Sequence, residues 1–378
     1  MSTLKVDAIR HNSATSDAIT MATDGTCTAK LTSVGGGQIS NRNLVINGAM
    51  NVAQRGTSFT TNGVYGADRW RTSFGAGGFN TQQVADAPVG FKNSIKVTQT
   101  SYGSASYKMI EHYIEGNNII SLGYGAAGAK TATLSFFVKG SVTGTYGVTI
   151  QNAATGGSRV SYVSSYTINS ANTWEFKTVT VTPPTTYTWY TDHQRGLGII
   201  FSLGSTGYST STLNQWQVAN KFDVTGAVDL SNNSGATLQI TGVQYEVGDT
   251  ATSFEHRSYA DELMRCMRYY EHSYNDGIGA GANSNVGGYY MCLTSDASGN
   301  AAFSIEYKVR KRTAPVTAVF YADNGTANQW DYARNGASGK VTVNYHRNSQ
   351  THLNAYMGVG AGWTVCYVLG HWTAESEL

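Results

Sequence analysis

The residues in this chain best suited to chemistry are aromatic rings set beside hydrogen-bonding groups. Trp330-Asp331-Tyr332, Tyr345-His346-Arg347 and the run YTWYTDHQR over 187–195 each pair rings with amide, acid or guanidinium groups. Sugar rings offer apolar C–H faces that stack on Trp and Tyr, and hydroxyls that pair with Asn, Asp, Arg and His. The pattern points to carbohydrate recognition, with Trp330, Asp331, Tyr332, Tyr345, His346 and Arg347 as the candidate glycan contacts. Packing of these rings in a core or on a sheet face is the alternative for each.

Other chemistries find less support. A literal G-x-G-x-x-G spans 123–128, but a dinucleotide site needs a helix next, aimed at the pyrophosphate, and 129–138 reads as a strand. Lys130 follows Ala129 rather than a glycine, so a phosphate loop fails as well. The eight histidines form no H-x-H or H-E-x-x-H pattern, and Glu111-His112 and Glu255-His256 read as simple neighbours. Loop Asp and Asn side chains that hold Ca²⁺ leave no fixed spacing, so sequence does not address such a site. No G-x-S-x-G elbow occurs. Glycoside hydrolysis needs two carboxylates flanking the sugar, and the 24 acidic residues are scattered without singling out a pair. The expectation is a binding protein rather than an enzyme, with no cofactor and no metal.

Composition bounds the partners. Net charge is +2, so no broad basic field attracts nucleic acid or an anionic membrane. The densest basic run, KVRKR over 308–312, reads as a solvated strand end, with an acidic surface glycan as the other reading. No apolar run approaches the roughly 20 residues of a membrane span, so membrane insertion is not expected. The opening MSTLKVDAIRHNS lacks an apolar signal core. Cys27, Cys266, Cys292 and Cys366 lie far apart with no C-x-x-C, which suits free, mostly buried thiols in a reducing cytoplasm.

The elements that must position these groups are mostly strands. Charged residues are 13%, and the chain has 43 Gly but only 4 Pro, a vocabulary of short strands and tight turns. The expected fold class is all-β: an N-terminal docking hairpin, a jelly-roll β-sandwich, one amphipathic helix and a distal β-sandwich tip. The boundaries are 1–38, 39–257, 258–275 and 276–378. In the first segment, Asp24-Gly25 signals a type I′ hairpin, marginal unless it pairs with another chain or domain. In the second, alternating strands are expected over 44–46, 94–98, 133–138, 147–151, 174–181, 198–203 and 237–243, with a bulge between Phe176 and Val179. Ser258 is a helix N-cap with Asp261 at the capping-box spacing. Ala260, Leu263, Met267, Tyr270 and Tyr274 step by three and four down one helix face. They form the candidate oligomer interface, with docking on the same chain as the open alternative. In the tip, strands are expected over 289–293, 302–309, 316–321, 340–345, 354–359 and 363–371.

Three stretches resemble bacteriophage tail-fibre proteins. NRNLVINGAMNVAQRG at 41–56, followed by YGADRW at 65–70, looks like the opening of a carbohydrate-binding-module-like jelly roll. LSFFVK at 134–139 and the strand over 174–179 look like its middle. LQITGVQYE at 238–246 with ATSFEHR at 251–257 and the helical 263–271 looks like its close. Residues 1–32 are similar to N-terminal segments of marine-phage structural proteins. The resemblance covers about 41–272 and leaves 276–378 unmatched. It implies a non-enzymatic homotrimeric virion fibre, assembled in the host cytoplasm. Such a fibre docks on phage tail proteins through residues 1–38 and touches host surface polysaccharide at its distal end. A polysaccharide-degrading tailspike enzyme and a structural tail or capsid spacer without receptor contact are the rivals.

Overall fold

The structure is a computed structural model. It describes residues 6–10, 12, 19–25, 27–29, 40–104, 106–152, 159–334, 337–361 and 366–378, with the side chains of 27–29, 334, 345–347 and 366 outside the description.

Period-two alternation builds the main body. In strand Ala132–Gly140, Leu134, Phe136 and Val138 are buried in one core, while Phe137 and Lys139 point the other way. This strand belongs to a six-stranded antiparallel sheet ordered Glu175–Val181, Ala132–Gly140, Thr237–Val247, Ser94–Ser101, Gly78–Val84, Ser58–Phe59. A seven-stranded sheet is ordered Trp216–Gln217, Ser161–Ile168, Gly144–Asn152, Arg195–Gly204, Lys108–Glu115, Trp70–Phe74, Val64–Ala67. The two sheets stack: Phe136 meets Phe201 at 4.9 Å and Tyr166 at 5.2 Å, edge to face across the core. The result is an all-β sandwich.

The expected bulge between Phe176 and Val179 does not occur. Strand Glu175–Val181 pairs in unbroken register with Ala132–Gly140, and Phe176 packs on Phe137 on the outer face at 5.0 Å. The register shift lies on the other side, where Ser135 faces Gln244 and Phe137 faces Thr241. The strand Thr237–Val247 absorbs the extra residue at Gly242, φ +61°, where a Cβ would stand 2.8 Å from Phe91 and 3.0 Å from Phe137. Both the positive φ and the crowding call for glycine.

Residues 44–46 do not form a strand; the side chain of Asn43 fills the ladder role there. Asn43 Nδ2 donates to Val243 O at 3.1 Å, and Asn43 Oδ1 accepts from Val45 N at 3.0 Å and Tyr245 N at 3.2 Å. The Glu255 carboxylate accepts from the Arg42 and Asn43 amides at 3.1 and 3.0 Å. The stretches 41–48 and 251–257 are thus bound to each other.

Helix Tyr259–Met267 is shorter than the expected 258–275. Its start is as read: Ser258 Oγ accepts from Asp261 N at 3.2 Å. Its end is imposed by the sheet. Tyr270–His272 is a strand paired with residues 373–375 of Cys366–Glu375, so tertiary pairing overrides the helical spacing. The five-residue helical seam therefore does not exist as one face. Ala260 is exposed in the first turn, Leu263 and Met267 are half-buried, and Tyr270 and Tyr274 are buried beyond the helix within this chain. Cys266 packs with Ile46, Val52, Tyr269 and Leu378, and Leu263 lies against this cluster, so this face of the helix docks on its own chain.

The strands after the helix form one sheet ordered Tyr270–His272, Cys366–Glu375, Gln329–Arg334, Ala337–Asn348, His352–Gly358, Asn300–Glu306. Tyr289–Leu293 and Thr317–Tyr321 also pair with Cys366–Glu375. Its core gathers Trp330, Trp372, Phe320, Leu353 and Met357. Buried charge ties it to the sandwich. Arg69 bonds Glu377 and lies 3.6 Å over Tyr269, and Arg268 grips Glu115 with two bonds of 2.6 and 2.8 Å. Burial alone would push the Glu115 carboxyl up, but the bonds from Arg268, Asn117 and Tyr269 outweigh it and hold it below its usual range. The KVRKR run is not a solvated strand end. Lys311 is fully buried against an equally buried Glu271, and Arg312 donates to Ser376 O and Glu377 O, both at 2.8 Å.

In the first segment, Ala8–Ile9, Ile19–Met21 and Cys27–Ala29 make a three-stranded antiparallel sheet. The hairpin connection is longer than a two-residue type I′ turn: Met21 faces Cys27, and Gly25 N donates to Ala22 O at 3.1 Å.

Candidate functional site

The outer face of the seven-stranded sheet carries a cleft of about 380 Å³. Alternation sets its floor. In Lys108–Glu115, Ile110, His112 and Ile114 turn to the core, which leaves Met109, Glu111 and Tyr113 facing out. In Trp70–Phe74, Trp70 and Phe74 turn in while Arg71 and Ser73 face out. The register then lines up two rows. Arg71 faces Glu111, which faces Ile200, and Tyr113 faces Gly198, which faces Gln151. Gly198 is needed for its lack of a side chain, since a Cβ there would lie 2.9 Å from the Tyr113 ring.

Hydrogen bonds fix the floor. Glu111 accepts from Arg71 Nε at 2.6 Å, Ser73 Oγ at 2.7 Å and Tyr113 OH at 2.8 Å. Burial and the Glu111 charge raise the Tyr113 phenol, so it stays a proton donor. Burial would lower the Arg71 guanidinium, yet Glu111 outweighs it and holds it above its ordinary value. Arg195 lies over the Tyr113 ring at 4.2 Å and donates to Leu378 O.

One wall is the segment 205–224. Tyr208 and Phe222 stack at 4.9 Å and 24°, and Phe222 N donates to Tyr208 O at 3.0 Å. Gln151 Nε2 donates to Asn220 Oδ1 and to Ser161 Oγ, both at 2.9 Å, which joins wall to floor. Asp223, at the foot of the wall, would stand 2.8 Å from a Cβ on Gly147, and burial lifts its carboxyl to about 6. Arg159 completes the rim, with Nη1 3.4 Å from Gln151 Oε1 and from Asn220 Oδ1.

The cleft thus offers tyrosine rings beside guanidinium, amide and carboxylate groups. That is an arrangement for a flat, hydroxyl-rich molecule with apolar faces. Glu111 is the one carboxylate among its described lining residues, and it is already held by three donors. A flanking carboxylate pair of the kind glycoside hydrolysis uses is not part of this lining.

The six candidate glycan contacts named from sequence do not line this cleft. Trp330 is 0% exposed, stacks on Phe303 at 4.7 Å and donates from Nε1 to His371 O at 2.8 Å, so its faces are closed to a sugar. It reaches into the core because Gly370 opposite has no Cβ to block the indole. Asp331 pairs with Lys340 and accepts from Asp323 N at 2.7 Å, and Tyr332 packs half-buried on the same core. Tyr345, His346 and Arg347 lie in strand Ala337–Asn348, with side chains outside the described residues. The C-terminal sheet does present an exposed stacked pair, Tyr290 and Tyr367, 5.6 Å apart. Of the run 187–195, Trp189 packs against Tyr124 and Trp216, while Arg195 reaches the cleft. Sequence reasoning missed Tyr113, Arg159 and Tyr208. The usable signal was alternation over 108–115, obscured because Lys108 and His112 are polar yet buried, Lys108 against Asp229 at 2.7 Å.

No protein-family model matches the chain, and no curated protein does. Part of it superposes on solved structures at low identity. The bacteriophage CBA120 tailspike protein 4 enzymatically active domain aligns over 54% of this chain and 21% of its own length, at 17% identity and a TM-score of 0.32. A CBM4 structure aligns over 54% of this chain and 99% of its own, at 17% identity and TM-score 0.28. A family 11 carbohydrate-binding module from Clostridium thermocellum, in complex with a β-1,3-1,4-mixed-linked tetrasaccharide, aligns over 52% and 99%, at 13% and 0.28. Likenesses at this level carry no functional weight, and the cleft is interpreted from its own residues.

Proposed function

We propose that this protein is a non-catalytic glycan-binding component of a phage tail fibre, and that the cleft over the seven-stranded sheet holds the sugar. The observation that carries this is the lining itself. Tyr208, backed by Phe222, supplies a ring face, Gln151, Asn220 and Arg71 supply hydroxyl partners, and the hydrogen bonds that fix them are already made. Preorganised groups of this kind bind with less ordering cost than mobile ones.

The virion role is supported by the first segment. Ile9 and Met21 are about half exposed on this small sheet, which suits pairing with a tail protein through residues 1–38. Homotrimer formation would multiply weak single-site contacts by factors of about 10²–10⁴.

The test is binding of the purified full chain to an array of microbial surface polysaccharides, beside Tyr208→Ala. Wild type is expected to bind at least one glycan and to leave it undegraded. The variant should bind about tenfold more weakly with an unchanged melting temperature. Failure to bind any glycan favours the spacer alternative, and release of reducing ends favours the depolymerase.

A further inference from the structure

We infer that the cleft selects acidic glycans, with Arg159 as the residue that reads the acid group; this rests on the glycan-binding reading of the same cleft. Charge is the first observation. The chain as a whole carries +2, yet three arginines and one carboxylate stand among the described residues that line this cleft. Field lines concentrate in a recess of one sign, so a carboxylate or sulfate ester is drawn to it.

The three arginines are not equivalent. Arg71 is spent on Glu111 at 2.6 Å. Arg195 covers the Tyr113 ring and donates to Leu378 O. Arg159 faces two neutral amide oxygens at 3.4 Å, the far limit of a hydrogen bond. Those amides are themselves placed: Gln151 is 1% exposed and bonded to Ser161 and Asn220. A guanidinium held loosely by neutral groups at a half-buried rim keeps its planar fork for an incoming anion, and that fork matches carboxylate and sulfate oxygens two at a time. A sugar stacked on Tyr208 would place such a substituent beside Arg159. Uronic acids and sulfated sugars share this chemistry.

The experiment sorts the array into acidic and neutral polysaccharides and measures affinities by calorimetry at low and high salt. The strongest acidic binder is then compared with its carboxyl-reduced or desulfated form, which tells carboxylate from sulfate. The expected result is acidic hits, weakened about tenfold by neutralising the sugar, and weakened further by salt. Arg159→Gln should abolish the preference for the acidic form, bringing its affinity level with that of the neutralised form, at an unchanged melting temperature. If hits are neutral, or if Arg159→Gln keeps the acidic preference, this inference is overturned while glycan binding stands. If nothing binds, the glycan-binding reading falls and takes this inference with it.

Discussion

Lys311 and Glu271 show how far single residues depart from their ordinary behaviour in this chain. Both side chains are 0% exposed, and Lys311 Nζ also donates to Met267 O at the end of the helix. Burial lowers the Lys311 ammonium from its ordinary value, against the pull of Glu271. Removing one partner strands the other charge, which costs about 3–5 kcal/mol, whereas removing both is often nearly neutral. Lys311→Met should therefore destabilise the protein by about that amount in chemical denaturation. The double variant Lys311→Met, Glu271→Gln should recover most of it, since Lys308 N donates to Glu271 Oε1 at 3.0 Å and Gln keeps that acceptor. Equal losses in both variants would show that the pair is not what matters. The same residue scale explains why Trp330 misled the sequence reading. Its neighbours Asp331 and Tyr332 gave it a polar, surface-like context, but the space for its indole is set by Gly370 on a strand forty residues away.

At the scale of elements, the wall 205–224 depends on Asp223. Its carboxyl has a pKa of about 6 in the folded chain, against 3.8 for an ordinary aspartate, because burial disfavours its charge. Between these two values the folded state keeps a proton that the unfolded state has released. Lowering the pH from 7 to about 4.5 therefore adds stability from this group, roughly 2 kcal/mol. Asn at this position has no such proton. The stability of wild type relative to Asp223→Asn, measured by denaturation across this range, should rise as pH falls; a flat difference would refute the assignment. Elements were legible in the sequence where one face is apolar, as in Ala132–Gly140 and Thr237–Val247. They were hidden where buried polar groups break the alternation, as in Lys108–Glu115, or where long-range pairing decides, as in Tyr270–His272. The helix start was legible because Ser258 caps it locally; its end was not, because the strand Cys366–Glu375 imposes it.

At the scale of the whole molecule, the sandwich and the C-terminal sheet are not independent pieces. Glu377 sits between Arg55 and Arg69, and Leu378 packs with Ile46 and Val52. Removing residues 276–378 would strip these partners from the sandwich, so loss of binding in such a truncation does not locate the receptor site. A measurement on the intact chain does. Hydrogen–deuterium exchange, read with and without an oligosaccharide from the polysaccharide that the array selects, maps where the ligand protects backbone amides. The cleft account predicts added protection in 108–115, 144–152 and 205–222. Protection confined to the C-terminal strands 329–348, with none around the cleft, would contradict it.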